Sequence, residues 1–288
     1  MEIQKSRVVG LHNLGNTCFL NSALQLLLSC NHLFNVIHNF MELNILNINN
    51  LKQLMKYIQT YKDYYNPNTK SLGPVIIYNN YKKININYIG FTQEDSHEFL
   101  TFTIDDILTQ LNTIDNEIHK NEINKLFSIK LEQQVIFSDN KDSITFQYEN
   151  ILSLGFDNEC NTLYDCLNRL GYDENDIKIK IKILELPKYL FISLKRFVVT
   201  DNGILKNNKD IEIPLELELT NKYILRGFVM HVGNIFGGHY YSYCNRNIDS
   251  QQKWFILNDN HINTVNFDDI QHELRQSYIL LYELLFSS

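Results

Sequence analysis

The 288-residue chain is short of the residues that build linkers: four prolines and eleven glycines are too few for long disordered connections. It has no apolar run long enough to cross a bilayer; the longest, near Tyr278 to Phe286, is broken by Glu283. The opening MEIQKSRVVG lacks the apolar core of a secretory leader. Cysteines number five, an odd count without paired spacing, which excludes a disulfide framework and fits free thiols in a reducing compartment. Positive charge is in the minority, with 26 Lys and Arg against 33 Asp and Glu. That balance disfavours non-specific nucleic-acid binding and suits a basic partner. There is no repeat of fixed period, and the Asn- and Ile-rich pieces at 44–50 and 84–87 read as compositional bias. What remains is 44% hydrophobic, enough for a sizeable core in one large domain or a few coupled subdomains. The expectation is a soluble intracellular protein, cytoplasmic or nuclear or both, with no membrane and no nucleic acid as partner.

Apolar periodicity divides the chain in two. Up to about residue 120 it is helical: Leu26 to Phe40 continues a first helix, and Leu51, Leu54, Met55 and Ile58 mark a second. A loop with Pro67, Gly73 and Pro74 follows. Phe91 to Leu111 then opens with Thr92 and Asp95 in a capping-box-like spacing and continues as the stripe Leu100, Ile104, Ile107, Leu108, Leu111. From about residue 126 the period becomes two. Strands are expected at 144–148, 177–186, 189–197, 211–219, 223–231, 239–244, 253–257 and 277–285, with hairpin-like connections at Asp201-Asn202-Gly203 and Gly237-Gly238. Helices first and a mostly antiparallel sheet afterwards make an α+β fold.

The stretch Gly10–Leu28, GLHNLGNTCFLNSALQLLL, carries the most chemistry. Two glycines and two asparagines make a turn, Asn16-Thr17 offers an N-cap, and Cys18 falls in the first turn of an apolar helix. There the helix dipole and unpaired N–H groups favour a thiolate. Asn13, in the same turn, has an amide able to aim donors back at the sulfur, the arrangement of a nucleophile beside an oxyanion donor. Taken alone, Cys18 reads equally well as a small buried core residue. A thiolate nucleophile needs an imidazole, and among nine histidines His239 is distinguished by Gly237-Gly238 before it and the strand HYYSYC that it starts. One turn and a strand pairing would set Trp254–Asn258 beside Tyr240–Cys244, making Asn258, with Asp259 next to it, a candidate orienter of the ring. His239 also reads as a structural histidine. The acidic run at Gln93, Glu94, Asp95 and Glu98 is either dipole complementation at a helix start or a clamp for a cationic peptide. Cys160 and Cys166 stand without a second pair, so no metal site is expected. Cys30 and Cys244 read as core residues.

Four stretches in order resemble the ubiquitin-specific protease family of deubiquitinating cysteine proteases. They are GLHNLGNTCFLNSALQLL (10–27), QEDSHEFL (93–100), LPKYLFISLKRF (186–197) and the closing set HVGNIFGGHYYSYC (231–244), WFILND (254–259) and SYILLYEL (277–284). The resemblance implies a papain-like right hand within a single catalytic domain, 1–288. Residues 1–125 would be a helical thumb, 126–185 reduced fingers interleaved with palm strands, and 186–288 the β palm. It makes Cys18 the nucleophile, His239 the base and Asn258 the third member, with Asn13 and the Cys18 N–H as oxyanion hole and Asp259 as a helper. It assigns Gln93, Asp95 and Glu98 to holding ubiquitin's tail. Phe197, His231 and Tyr240 would wall a channel that only its terminal diglycine can thread, and loops 200–210 and 233–238 would cover it. Ubiquitin and ubiquitinated proteins are the implied partners, with no cofactor, and the chain is expected to act as a monomer close to a bare catalytic domain. The family's fingers usually carry two Cys-x2-Cys zinc pairs; here the matching stretches, 138–142 and 173–176, hold no cysteine, so short, metal-free fingers are expected. A protease for another ubiquitin-like modifier, or a catalytically weak ubiquitin-binding scaffold, are the alternatives. The joint presence of Cys18, His239 and Asn258 argues against the scaffold.

Overall fold

The computed structural model describes residues 7–42, 52–85, 88, 92–111, 117–136, 142–174, 177–200, 203–234, 237–248 and 251–285. The chain enters on β1 (Gly10–Leu11) and turns at once into α1 (Cys18–Leu27). Then come α2 (Asn31–Glu42), α3 (Lys52–Tyr64), β2 (Ser71–Leu72), α4 (Val75–Ile84), α5 (Ser96–Leu111) and α6 (Glu117–Phe127), with β2 pairing parallel to β1. Every residue of α1 is buried, as expected of a helix wrapped on all sides. Two of its polar positions, Ser22 and Gln25, find partners sideways. Gln25 donates to the Val9 carbonyl and accepts from the Tyr64 hydroxyl, both at 2.9 Å, and the Ser22 and Ser96 hydroxyls lie 3.3 Å apart.

Three helical expectations are corrected. The run from Leu26 to Phe40 is not continuous, because the Ser29 and Cys30 N–H groups fold back on the Leu26 and Leu27 carbonyls and α2 starts afresh. The loop around Pro74 is short, since Pro74 itself stands at the N-cap of α4, where its missing N–H does no harm. Asp95, rather than Thr92, caps α5: its Oδ1 accepts the N–H groups of His97 (2.6 Å) and Glu98 (3.2 Å), while Thr92 donates to Glu94. The Asn-rich piece 44–50 lies outside the described residues.

The second half runs β3 (Ile129–Ile136), β4 (Asp142–Glu149), β5 (Leu152–Leu154), α7 (Leu163–Asn168), β6 (Gly171–Glu174), β7 (Ile177–Glu185) and β8 (Tyr189–Leu194). It continues through β9 (Phe197–Thr200), β10 (Gly203–Lys206), β11 (Glu216–Glu218), β12 (Lys222–Asn234), β13 (Gly237–Ile248), β14 (Gln251–Asn258), β15 (His261–Val265), α8 (Phe267–Leu274) and β16 (Ile279–Leu284). An eight-stranded sheet has the order β15-β14-β13-β12-β16-β8-β5, with β11 added to β12; a four-stranded sheet has the order β4-β3-β7-β6; and β9 and β10 form a hairpin.

Strand alternation splits the large sheet between two cores. Tyr189, Phe191, Val229, Tyr240, Ile279 and Leu281 join the helical core, while Leu190, Ile192, Phe228, Tyr243, Leu280 and Tyr282 join a second core under α7 and α8. Because both faces are covered, β8 is buried at all six positions and reads as an unbroken apolar run. The expected strand 189–197 ends earlier than the pattern suggested, because Arg196 turns inward. Only 1% exposed, Arg196 donates to the carbonyls of Ser277 (2.7 Å), Arg275 and Lys209 (both 2.8 Å) and Asn207 (3.2 Å). The stretch 211–219 is a strand only at β11, Pro214 having no donor to offer a ladder.

The small sheet is built differently. In β7, Ile179, Ile181 and Ile183 are half-buried and Lys178, Lys180 and Lys182 exposed. Its edge strand β4 leaves Ile144, Phe146 and Tyr148 at 56%, 60% and 67% exposure on one face. Of the two cysteine-free stretches, 138–141 and 175–176 lie outside the described residues. Cys160 and Cys166 are buried in the second core. Burial, then the neighbouring Cys160, pushes the Cys166 thiol up to about 12. Among the described residues no three His, Cys, Asp or Glu side chains converge to hold a metal ion.

Candidate active site

The turn before α1 is shaped by Gly15 (φ 102°) and Asn16 (φ 53°), left-handed positions that glycine and asparagine tolerate. Thr17, at the N-cap, makes no side-chain capping bond; its hydroxyl accepts the Leu14 N–H at 2.8 Å instead. Asn13 organises this turn, its carbonyl accepting the N–H groups of Gly15 (3.0 Å) and Thr17 (3.1 Å). Its amide donates to Asp259 Oδ2 at 3.0 Å, so one of its two hydrogens is directed at a carboxylate. Asp259 also takes the Asn21 amide on Oδ1 (2.7 Å) and the Leu11 N–H on its own carbonyl (2.9 Å). The β14–β15 turn is thereby fastened to both ends of the loop that delivers Cys18. Contact there is close: a Cβ on Gly10 would come within 2.5 Å of the Asn260 carbonyl oxygen.

Cys18 is the first residue of α1 and 3% exposed. Burial pushes its thiol up; the Tyr240 N–H is the strongest opposing influence, Asp259 adds to the rise, and the N–H groups of Phe19 and Cys18 pull down. The net direction is upward, so the thiolate expected from the helix start alone is outweighed by desolvation.

His239 lies near the start of β13, whose register against β14 pairs Ser242 with Leu257 and Cys244 with Phe255. That register brings His239 Nε2 to 2.6 Å from Asn258 Oδ1. The two glycines before it belong to the strand, paired with Gly233 and Asn234, and the turn itself, 235–236, lies outside the described residues. Gly238 is needed for space: a Cβ there would meet His231 Nε2 at 2.3 Å. Both chain neighbours of His239 border the nucleophile. The Tyr240 N–H acts on the sulfur. Gly238 is bonded to Gln93, whose Nε2 lies 3.7 Å from Cys18 Sγ.

From this point a cleft of about 890 Å³ runs between the start of α5 and the strands β9, β10, β12 and β13. Phe197, His231 and Tyr240 line it with Tyr278, their rings edge-on or tilted: Phe197–His231 centroids are 5.4 Å apart, His231–Tyr240 4.5 Å and Phe197–Tyr278 5.8 Å. Glu94, Asp95 and Glu98 line it as well. Asp95 has no acceptor capacity to spare, because its Oδ2 takes the hydroxyls of Tyr278 (2.7 Å) and Tyr240 (3.4 Å) and its Oδ1 caps α5. The carboxylates left for a cationic ligand are Glu94 and Glu98. Burial, then Asp95 and Glu94, holds the Glu98 carboxyl above its usual range. Burial, reinforced by Lys206, drives the His231 imidazole down to about 4. Lys206 itself donates to the His231 carbonyl at 2.6 Å, tying the β9–β10 hairpin to the cleft rim. Sequence reading missed Tyr278, Lys206, Asn21 and Arg196. None of these differs in type from ordinary surface or strand residues, and their partners are distant in the chain.

Residues 9–282 match the ubiquitin carboxyl-terminal hydrolase family. The chain belongs to that family. Ubiquitin carboxyl-terminal hydrolase 5 of Saccharomyces cerevisiae is 26% identical over 97% of this chain and 45% of its own length. The probable ubiquitin carboxyl-terminal hydrolase 16 of Schizosaccharomyces pombe is 27% identical over 95% of this chain and 66% of its own. The chain thus spans about half to two thirds of these two relatives. Among solved structures, the SAGA Ubp8/Sgf11/Sus1/Sgf73 DUB module bound to ubiquitin aldehyde matches all of this chain and 72% of that one, with a TM-score of 0.77 at 23% identity. At that identity the likeness speaks for the fold: the α+β, papain-like architecture of this hydrolase family. Among the described residues no helix is long and apolar enough to cross a membrane.

Proposed function

We propose that the chain is a thiol-dependent deubiquitinase that hydrolyses the bond after the last glycine of ubiquitin. Cys18 is the nucleophile, His239 the general base and acid, and Asn258 the residue that orients the imidazole. With Nε2 engaged by Asn258, Nδ1 is the nitrogen left to exchange a proton with sulfur. Asn258 is neutral and stabilises imidazolium less than a carboxylate would. The thiolate adds to the glycine carbonyl, and the oxyanion is met by the Cys18 N–H and the second amide hydrogen of Asn13. Asp259 fixes Asn13 through the first. His239 then protonates the departing lysine amine, and water hydrolyses the thioester.

The aromatic side of the cleft suits a chain without side chains, and Glu94 and Glu98 suit the arginines of ubiquitin's tail. We read residues 1–125 as thumb, 126–185 as fingers and 186–288 as palm, with the exposed ladder Ile144, Phe146 and Tyr148 receiving the body of ubiquitin. Five free cysteines suit the cytoplasm or nucleus.

The observation that carries this reading is that Gln93 Nε2 lies 3.7 Å from the Cys18 sulfur and is bonded to Gly238, the neighbour of His239, whose ring lies 2.6 Å from Asn258 Oδ1. It is tested with ubiquitin bearing a C-terminal electrophile. The wild-type protein is expected to form a covalent adduct and Cys18→Ala none. An adduct that persists in Cys18→Ala would move the nucleophile elsewhere. Electrophiles built on other ubiquitin-like modifiers, run alongside, separate a deubiquitinase from a protease for one of those.

A further inference from the structure

Gln93 reaches from the loop before α5 to both parts of the reaction centre. Its carboxamide makes two bonds to one residue: Oε1 accepts the Gly238 N–H at 2.9 Å and Nε2 donates to the Gly238 carbonyl at 2.6 Å. This is the exchange that a neighbouring strand makes, supplied here by a side chain. Nε2 also lies 3.7 Å from Cys18 Sγ. An amide nitrogen has two hydrogens, so the carbonyl and the sulfur together use both. Two residues on, Asp95 accepts the hydroxyl of Tyr240. Residues 238 and 240, flanking His239, are therefore both fastened to the segment 93–95.

We propose that Gln93 is a positioning residue that clamps the peptide carrying His239 and holds the Cys18 sulfur as an anion by donating a hydrogen bond to it. The use of that centre rests on the deubiquitinase reading; the clamp itself does not. A donor stabilises a thiolate more than a thiol. Burial and Asp259 both work against the thiolate here, so each N–H aimed at the sulfur counts. The competing role for the same contacts is a plug: Gln93 crosses the place where a diglycine would enter and would have to leave before turnover. The two roles predict opposite effects of removing the amide.

The test uses the full chain and Gln93→Met, which keeps the length of the side chain and removes both hydrogen bonds. Iodoacetamide labelling of Cys18, scored by peptide mass across pH, needs no ubiquitin. The labelling midpoint is expected to rise by about one pH unit, a tenfold loss of thiolate below it, and to rise further in Gln93→Glu. With a fluorogenic ubiquitin substrate, kcat is expected to fall about tenfold and KM to stay within about twofold. Should Gln93→Met not fold, Gln93→Asn, one methylene short of both partners, is expected to shift labelling the same way. An unshifted labelling profile overturns the proposal, and so does turnover faster than wild type, which favours the plug. If the wild-type protein turns over no ubiquitin substrate, the deubiquitinase reading fails, and labelling still decides the role of Gln93.

Discussion

The two sheets of this molecule are made under different constraints. The eight-stranded sheet is covered on both faces, by the helices on one side and by α7 and α8 on the other, and its central strands β8 and β16 are buried nearly throughout. Among its described residues the four-stranded sheet buries the base of one face, around Leu131, Ile181 and Ile183, and ends in an edge strand with three large apolar side chains in solvent. His239 and Asn258 ride on the first, and Cys18 on the buried helix packed against it. The second has little packing to lose, and exposed apolar groups there do not serve the fold. Geometry for chemistry is thus held by the part that resists deformation, and a surface free to vary is held by the part that does not.

Substitutions in and beside the two sheets, buried in the first and exposed in the second, sharpen this contrast. The largest effect is expected from Arg196→Met, which leaves a buried carbonyl oxygen, that of Ser277, and three partly buried ones without their donor. A loss of about 3 kcal/mol or more in urea unfolding is expected, with Arg196→Lys recovering only part, since an ammonium cannot fork to four acceptors. Leu280→Ala, in the middle of β16, is expected to cost about 3 kcal/mol by the same measurement.

Acid comes next. His231 is held neutral down to about 4 against an ordinary 6.5, and burial pushes His97 down as well. The unfolded chain takes up these protons first. Stability is therefore full above about pH 6.5 and declines as pH falls toward 4. His231→Phe is expected to flatten that decline between neutral pH and about pH 5, and an unchanged slope would place the titration elsewhere.

The smallest stability effect, within about 0.5 kcal/mol, is expected for Phe146→Ser on β4. That variant is expected to raise KM for a ubiquitin substrate about tenfold while leaving kcat alone. A loss of folding there, comparable to Leu280→Ala, would erase the distinction between the sheets.

What was legible from the chain follows from the range of the interactions concerned. The apolar runs of β8 and β16, the glycines at 237–238 and the helix after Cys18 announce themselves through neighbours two to four positions away. The pairing of Tyr240–Cys244 with Trp254–Asn258 was readable for the same reason: one short turn separates them. α4 escaped notice because Ile77, Tyr78 and Tyr81 are set among asparagines and lysines that mask the stripe. Asp95 reads as part of an acidic clamp, yet one of its oxygens caps α5 and the other is taken by tyrosines 145 and 183 positions away. Arg196 looks like a polar end to a strand until the loops that supply its acceptors are in place. The thiol of Cys18 is hard to read for a similar reason: a helix start is visible in sequence, whereas the burial that outweighs it and the Asp259 carboxylate that adds to it come only with the fold.

The complete burial of α1 has a bearing on motion. A helix with an outward face can fray or swing while the rest of a protein holds; α1 has none, so its amides should exchange with deuterium only as fast as the whole molecule opens. Cys18, at its first turn, inherits that permanence. Any rearrangement on the way to a competent site then falls to the β9–β10 strands at the cleft rim, with the sulfur as the fixed point to which they are brought.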